Sequence, residues 1–325
     1  MKIAILDDYQ DAVRKLPCFA QLNGHEVDVF TEPMDEDALA QHLAQHEAVV
    51  LIRERSHMTA TLLARLPRLR LISQTGKVSG NVDMEATKLY GITVMEGVGD
   101  PTAPAELSWA LIMAAYRRIP QYVAHMKAGR WQMSSADPAH NGIGRAVKGD
   151  VLGIWGYGKI GQRMAHYARA FDMDVLVWGR EASRDKALAD GYRVAASKQA
   201  LFEQADVLTL HLRLNDATRG IVKASDLALM KPKALLVNTS RSELIETGAL
   251  LVALQQGRPG FASLDVFDRE PIDPQDPLLQ MDNVLASPHL GYVEQKGYEL
   301  YFSAALQNVV RFTAQADDAR QKSGC

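Results

Sequence analysis

Short runs of branched and other apolar residues alternate with helical patterns through most of this chain, and that rhythm admits few folds. The runs "KIAIL" (2–6), "EVDVF" (26–30), "AVVLI" (48–52), "LRLIS" (69–73) and "ITVM" (92–95) read as strands by length and branching. Between them, "MDEDALAQHLAQH" carries acids in its first turn and apolar residues at helical spacing, and "TATLLARLP" ends at a proline. Such alternation predicts a parallel sheet covered by helices on both faces. The rhythm breaks over 104–131, a largely apolar helical stretch interrupted at Pro120, and a loop of small and polar residues follows. It then resumes with "VLGIWG", "DVLVW", "DVLTLHL", "ALLVNTS", "FASLDVF" and "NVLASP", a second doubly wound unit. After it, 294–315 reads as an amphipathic helix placed to pack back on the first domain, and "DDARQKSGC" (317–325) reads as disordered.

At 325 residues the chain exceeds the size at which one core keeps growing, so two domains are expected. A net charge of −3 with both signs interspersed offers no basic stripe for nucleic acid and no polybasic segment for a membrane. Small molecules or proteins are the expected partners. The opening "MKIAILDDYQ" is too short and too acidic for a signal peptide or spanning helix, which points to the cytoplasm. Cys18 and Cys325 show neither metal-ligand spacing nor a disulfide framework, so no metal is expected and a reducing compartment fits.

The segment "VLGIWGYGKIGQRMAHYARAF" places G-x-G-x-x-G between a strand and a helix. Gly156 allows a tight turn, Gly158 lets backbone approach a pyrophosphate, and Gly161 lets helix and strand pack closely; Tyr157, Lys159 and Ile160 complete the turn. The helix N-terminus adds free amides and a positive dipole, so a dinucleotide is the expected ligand. At the end of the next strand, "VLVWGRE", an acid that would accept from a ribose 2′-hydroxyl is replaced by Gly179 and Arg180, with Ser183 and Arg184 beyond. A guanidinium grips a 2′-phosphate bidentately, which favours NADP, with NAD as the alternative and Glu181 counting against the phosphate.

Arg241, Glu270 and His289 each lie at or just past a strand end, where open α/β sheets bind ligands. An arginine can hold a carboxylate while a histidine exchanges a proton with the neighbouring oxygen, and a glutamate keeps that imidazole oriented and favours its protonated form.

With these residues the chain resembles the D-isomer-specific 2-hydroxyacid dehydrogenases over nearly its whole length: the glycine turn, "LHLRLNDAT" from Leu210, "VNTSR" ending at Arg241, "LDVFDREP" from Leu264 and "SPHLG" from Ser287. The resemblance implies a Rossmann cofactor domain (102–288) inserted into a flavodoxin-like substrate domain made of 1–101 and a return helix in 289–325, with a cleft between them. It implies Arg241 on the carboxylate and keto oxygen of a 2-oxo acid, His289 as acid/base, Glu270 as its partner, and Asp265 at the nicotinamide carboxamide. His211, Thr218, Thr239 and Gly291 fall within the matching segments and are assigned to the cofactor. "QTGKVSGNVD" from Gln74 matches the substrate loop, which puts Lys77, Val78 and Ser79 on the substrate carboxylate with Arg53 facing the same cleft. Around 107–118 the helix resembles the family's dimer-forming region, so a homodimer is expected.

Some positions depart from the family pattern. Ser242 replaces a common glycine, Arg213 a common proline, and Gly179 with Arg180 the acid of NAD-using members. Lys77 resembles the loop lysine of the phosphite dehydrogenase branch. The expected activity is hydride transfer between a nicotinamide cofactor and a D-2-hydroxy acid, glyoxylate/hydroxypyruvate reductase-like; the alternatives are a phosphite dehydrogenase-like enzyme and a cofactor-sensing, corepressor-like binding protein.

Overall fold

The computed structural model describes residues 1–138 and 141–323, with 316–323 described by their backbone. The chain divides into two compact units, Met1–Asp100 with Val293–Cys325, and Pro101–Tyr292.

In the first unit the strands are β1 (Lys2–Ile5), β2 (Glu26–Val29), β3 (Ala48–Leu51), β4 (Leu71–Gln74) and β5 (Thr93–Glu96), paired in parallel in the order β2-β1-β3-β4-β5. This is the flavodoxin-like order, and its direction of winding reverses between β1 and β3. All four residues of β3 and of β4 are buried, as expected of central strands covered on both faces. The connecting helices are α1 (Glu36–Leu43), α2 (Ala60–Leu63) and α3 (Met84–Leu89). Asp35, Thr59 and Asp83 cap them by accepting from Ala38 N, Leu62 N and Ala86 N. The C-terminal helix, Gln295–Ser323, buries Tyr301, Phe302, Ala305, Leu306 and Val309. Ser73 Oγ donates to its Ala305 carbonyl at 2.9 Å, and Asn308 Nδ2 donates to the Glu96 carbonyl at 3.2 Å.

That helix runs on through 317–323, which the sequence reads as disordered. Propagating an existing helix by a few polar turns is cheap compared with nucleating one. The rest of that reading, Gly324 and Cys325, lies outside the described residues.

The second unit begins with α4 (Thr102–Tyr116) and α5 (Ile119–Lys127). The interruption expected at Pro120 falls earlier, at Arg118, which takes a left-handed φ of 52°. Proline is at home in a first turn and disfavours helix before it, so Pro120 opens α5. There follow β6 (Val151–Trp155), α6 (Lys159–Ala170), β7 (Asp174–Trp178), α7 (Glu181–Ala189), β8 (Arg193–Val194), α8 (Lys198–Gln204), β9 (Val207–Leu210), α9 (Ala224–Leu227), β10 (Leu235–Asn238), α10 (Ala249–Gln255), β11 (Phe261–Leu264) and β12 (Val284–Ala286). The two-residue β8 has too short an apolar run to show in the sequence.

Their parallel sheet has the order β12-β11-β10-β9-β6-β7-β8, a Rossmann arrangement extended by one strand. Alternate residues of one strand enter different cores: Leu236 packs with Leu208, Leu210 and Phe202 on one face, while Leu235 and Val237 pack with Ile154, Val177 and Met164 on the other. Among the described residues, no helix is long and apolar enough to cross a membrane.

Candidate active site

The chain leaves β6 through a turn that only glycines permit at two points. Gly156 has φ +104°, and a Cβ there would overlap the His211 carbonyl oxygen of the loop after β9; its own amide donates to Trp178 O at 3.0 Å. A Cβ on Gly161 would overlap the Gly156 carbonyl oxygen, so α6 packs against the turn only with glycine there. At Gly158, the N-cap of α6, a Cβ would meet nothing within 4 Å. The turn therefore has open space where backbone amides and the dipole of a twelve-residue helix face outward. It also sits at the end of β6, where the strand order reverses between β9 and β7. A nicotinamide dinucleotide fits this cradle, and the amides of the turn and of Lys159 and Ile160 would hold its pyrophosphate.

The neighbouring candidates differ in what they offer. Tyr157 has its ring buried against Tyr192 and its hydroxyl donating to Asp190 at 2.9 Å, so it presents only backbone to a ligand. His211 places Nε2 3.0 Å from Thr209 Oγ1. Its Nδ1 is shut away from solvent without a hydrogen-bond partner among the described residues, and burial lowers its pKa to about 4. Thr218 Oγ1 donates to Arg213 O at 2.7 Å and accepts from Asn215 N at 2.8 Å, closing its own turn. Thr239, just past β10, shares a 2.7 Å hydroxyl contact with Ser108 of α4.

At the end of β7 the position expected to carry an acid is Gly179, followed by Arg180 and Glu181. Arg180 is exposed at the N-cap of α7, and Arg184 lays its guanidinium 5.0 Å from the Trp178 ring centroid. Arg184 Nε finds no acceptor among the described residues, and Ser183 lies directly against Gly179. An exposed arginine and a ring-stacked one thus follow the position from which an acid would meet a ribose.

Arg241, Glu270 and His289 come together within the second unit. His289 Nδ1 lies 2.6 Å from Glu270 Oε2, and Glu270 Oε1 accepts from Phe267 N at 2.9 Å. Burial pushes the Glu270 carboxyl up, but the bond and charge of His289, the Phe267 amide and the charge of Arg241 outweigh it, so its pKa falls below the ordinary range. Arg241 is half-buried; its NH1 donates to Ser240 O at 2.6 Å, and Asn238 Nδ2 holds its carbonyl at 2.7 Å. His289 takes a left-handed φ of 51°, uncommon for a residue with a Cβ, and its ring meets Tyr292 edge-on at 5.6 Å.

Asp265 holds that strained loop. The residue is fully buried, and its carboxylate accepts from Ser287 Oγ at 2.6 Å, Leu290 N at 2.8 Å and Gly291 N at 2.8 Å. Burial raises its pKa even against these bonds and the charge of His289. A Cβ on Gly291 would come within 3.2 Å of Asp265 Oδ2, which accounts for glycine there.

In the first unit, Arg53 follows β3 with φ 54° and lies so close to Gly76 that a Cβ on Gly76 would sit 2.5 Å from its NH1. Lys77 and Val78 are adjacent in the loop after β4, and both meet Glu96: Lys77 Nζ at 2.6 Å and Val78 N at 2.9 Å. The Ser79 amide reaches Asn81 Oδ1 at 3.5 Å. The loop-holding role of Asp265, the stacking of Arg184 and the presence of Glu96 in this loop leave no local signal in the sequence. Each depends on partners 6 to 26 residues away, brought close by the strand order or, for Arg184, by α7 turning back along β7.

The family model described as D-isomer specific 2-hydroxyacid dehydrogenase, NAD binding domain, matches residues 109–291. A glyoxylate reductase from Aeropyrum pernix is 35% identical over 88% of this chain and 85% of its own length. A D-3-phosphoglycerate dehydrogenase from Methanocaldococcus jannaschii is 33% identical over 90% of this chain, which spans about half (53%) of that relative. The crystal structure of a phosphoglycerate oxidoreductase from Vibrio cholerae O395 is 55% identical, covers 97% of this chain and 99% of its own, and superposes with a TM-score of 0.94.

Proposed function

The chain belongs to the D-isomer specific 2-hydroxyacid dehydrogenase family, and we propose that it is a glyoxylate/hydroxypyruvate reductase-like member that prefers NADP. As a member it is an oxidoreductase acting on CH–OH donors, transferring hydride between a nicotinamide cofactor and a 2-hydroxy or 2-oxo acid. The observation that carries the assignment of roles is the 2.6 Å contact between His289 and Glu270, beside the charge of Arg241. When bound, the nicotinamide supplies the hydride in the reductive direction. His289 donates a proton from Nε2 to the oxygen that becomes the hydroxyl, while Glu270, kept ionised, accepts from Nδ1–H and fixes the tautomer. Arg241 binds the carboxylate and stabilises charge growing on the keto oxygen, an effect of roughly 3–4 kcal/mol for one well-placed donor. The first unit binds substrate through Lys77, Val78, Ser79 and Arg53, and the second binds cofactor.

Preference for NADP rests on Gly179, exposed Arg180 and the stacked Arg184. We assign the chain to the cytoplasm and to a homodimer. The apolar exposure of Ile119, Met126, Trp131 and Ile143 around a groove of about 640 Å³ on and beside α5 supports self-association.

Oxidation of NADPH and NADH, followed by absorbance with glyoxylate and with hydroxypyruvate, tests the reading. Turnover of neither acid, or cofactor reduction by phosphite instead, refutes it. His289→Ala should lower kcat about 10²- to 10⁴-fold with cofactor Kd nearly unchanged. Arg180→Ala and Arg184→Ala should each weaken NADPH about tenfold or more while sparing NADH, the size of one charged hydrogen bond; equal losses for both cofactors refute a role for these arginines in choosing NADP.

A further inference from the structure

We propose that Glu96 is a specificity-determining residue: its carboxylate occupies the anion site of the Lys77 loop, the substrate carboxylate must displace it, and its charge then disfavours substrates carrying a second negative group. The proposal rests on the reading of that loop as the substrate site.

Glu96 ends β5 directly opposite Gln74, the last residue of β4, so the register of two neighbouring parallel strands sets it over the loop that leaves β4. One carboxylate oxygen meets the Lys77 ammonium at 2.6 Å and the other accepts from the Val78 amide at 2.9 Å. An ammonium and a backbone amide on the two oxygens of one carboxylate are the contacts that the carboxylate of a 2-oxo acid would need from this loop. Glu96 is thus an internal stand-in for the ligand.

The stand-in is displaceable. Side-chain exposures of 69% for Lys77 and 37% for Glu96 make this a solvated ion pair, a class that contributes little. The loop's shape rests on other groups: buried Gln74 donates to Lys77 O at 2.7 Å, buried Asn81 donates to Gln74 Oε1 at 2.9 Å and to Ser56 O at 3.2 Å, and Gly97 N donates to Gly76 O at 3.0 Å. None of these uses the Glu96 side chain.

The surrounding cations are likewise matched. Arg53, against Gly76, has Glu54 3.8 Å from its Nε, and Arg55 donates to Asp7 O at 2.6 Å with its guanidinium 4.5 Å from the centre of the Tyr9 ring. A monocarboxylate replaces one carboxylate with another and leaves the local charge balance changed by a single unit. A phosphorylated 2-oxo acid brings further negative charge to a surface that already holds Glu54 and the displaced Glu96.

Three variants test this with glyoxylate, a phosphorylated 2-oxo acid and the unreactive carboxylate oxamate. Glu96→Gln keeps an acceptor for the Val78 amide and removes the competing charge. It should lower KM for glyoxylate and Ki for oxamate about two- to fivefold, the range an exposed ion pair supports. The gain should be larger for the phosphorylated acid and should shrink at high salt. Glu96→Ala should act in the same direction, with thermal melting reporting that both variants fold. Lys77→Met should raise KM and Ki. If Lys77→Met raises them while neither Glu96 variant lowers them, the displacement proposal alone is overturned. If Lys77→Met changes neither constant, the loop is not the substrate site and the proposal falls with that reading.

Discussion

Replacing Asp265 by asparagine tests its support of the loop that carries His289, apart from the contact with the cofactor that the family resemblance implies for it. The carboxylate is fully buried and accepts three hydrogen bonds, from Ser287 Oγ and Leu290 N on Oδ1 and from Gly291 N on Oδ2. Asparagine presents one oxygen and one NH2 group. With its oxygen toward Ser287 and Leu290, the NH2 faces the Gly291 N–H, donor against donor; flipped, it faces the other two. At least one charge-assisted bond is lost and a buried amide is left without an acceptor, a cost of about 1.5–3 kcal/mol. Relief from burying a charge offsets part of this, because burial already holds the Asp265 pKa above its ordinary range. The loop it releases holds His289 at φ 51°, a conformation costing about 1–2 kcal/mol for a residue with a Cβ and kept only where neighbours enforce it. A shift of about 1 Å in the imidazole is enough for a loss near a hundredfold. Urea unfolding should therefore show a net destabilisation smaller than the cost of the lost bond, about 1–2 kcal/mol, and kcat for glyoxylate should fall about 10- to 100-fold. An Asp265→Asn enzyme with unchanged unfolding free energy and unchanged kcat, whatever its cofactor affinity, refutes the loop-support argument.

Two glycines of the β6 turn should respond oppositely. Gly161→Ala drives a Cβ into the Gly156 carbonyl and should destabilise the fold by about 1–3 kcal/mol in a denaturant melt, whereas Gly158→Ala meets open space at a permitted φ of −84° and should melt normally while raising the dinucleotide Kd at least about tenfold. His211 gives the stability a pH dependence. Its folded pKa of about 4 lies below the ordinary 6.5, so between those values the unfolded chain binds the extra proton and stability falls as pH drops. From about pH 7.5 to about pH 5 this amounts to about 2 kcal/mol, which His211→Gln should remove from the difference between urea midpoints; a variant with the wild-type pH dependence contradicts it.

What the sequence made legible was whatever repeats locally. Central strands such as β3, "AVVL", are buried on both faces and announce themselves as continuous apolar runs, and the turn "GYGKIG" is read from six consecutive residues because glycine is required at fixed offsets between a strand and a helix. Arg241, Glu270 and His289 were visible for a related reason: each sits at or just past the end of a strand, and a parallel sheet gathers such ends on one edge. The pairing of Glu270 with His289 was expected, but the groups that hold the loops around them were not visible. Asp265 reads as the residue after an apolar strand, and nothing in "LDVFDREP" says that its oxygens are taken by backbone amides 25 and 26 residues on. Glu96 reads as an ordinary strand-end charge until β5 is known to lie beside β4 in a register that sets it opposite Gln74. The same distinction governs "VLVWGRE". The absence of an acid at Gly179 is a local fact and was available at once, but that Arg184 lies over Trp178 follows from α7 turning back along β7. The sequence names Arg180 and, beyond it, Arg184, while the fold adds that stacking on Trp178 fixes the plane of the Arg184 guanidinium before any phosphate arrives. A preorganised arginine loses less conformational freedom on binding than an exposed one. Arg184→Ala should accordingly cost NADPH affinity at least as much as Arg180→Ala in matched titrations, and a clearly smaller loss at Arg184 would show that stacking on Trp178 turns that guanidinium away from the ligand.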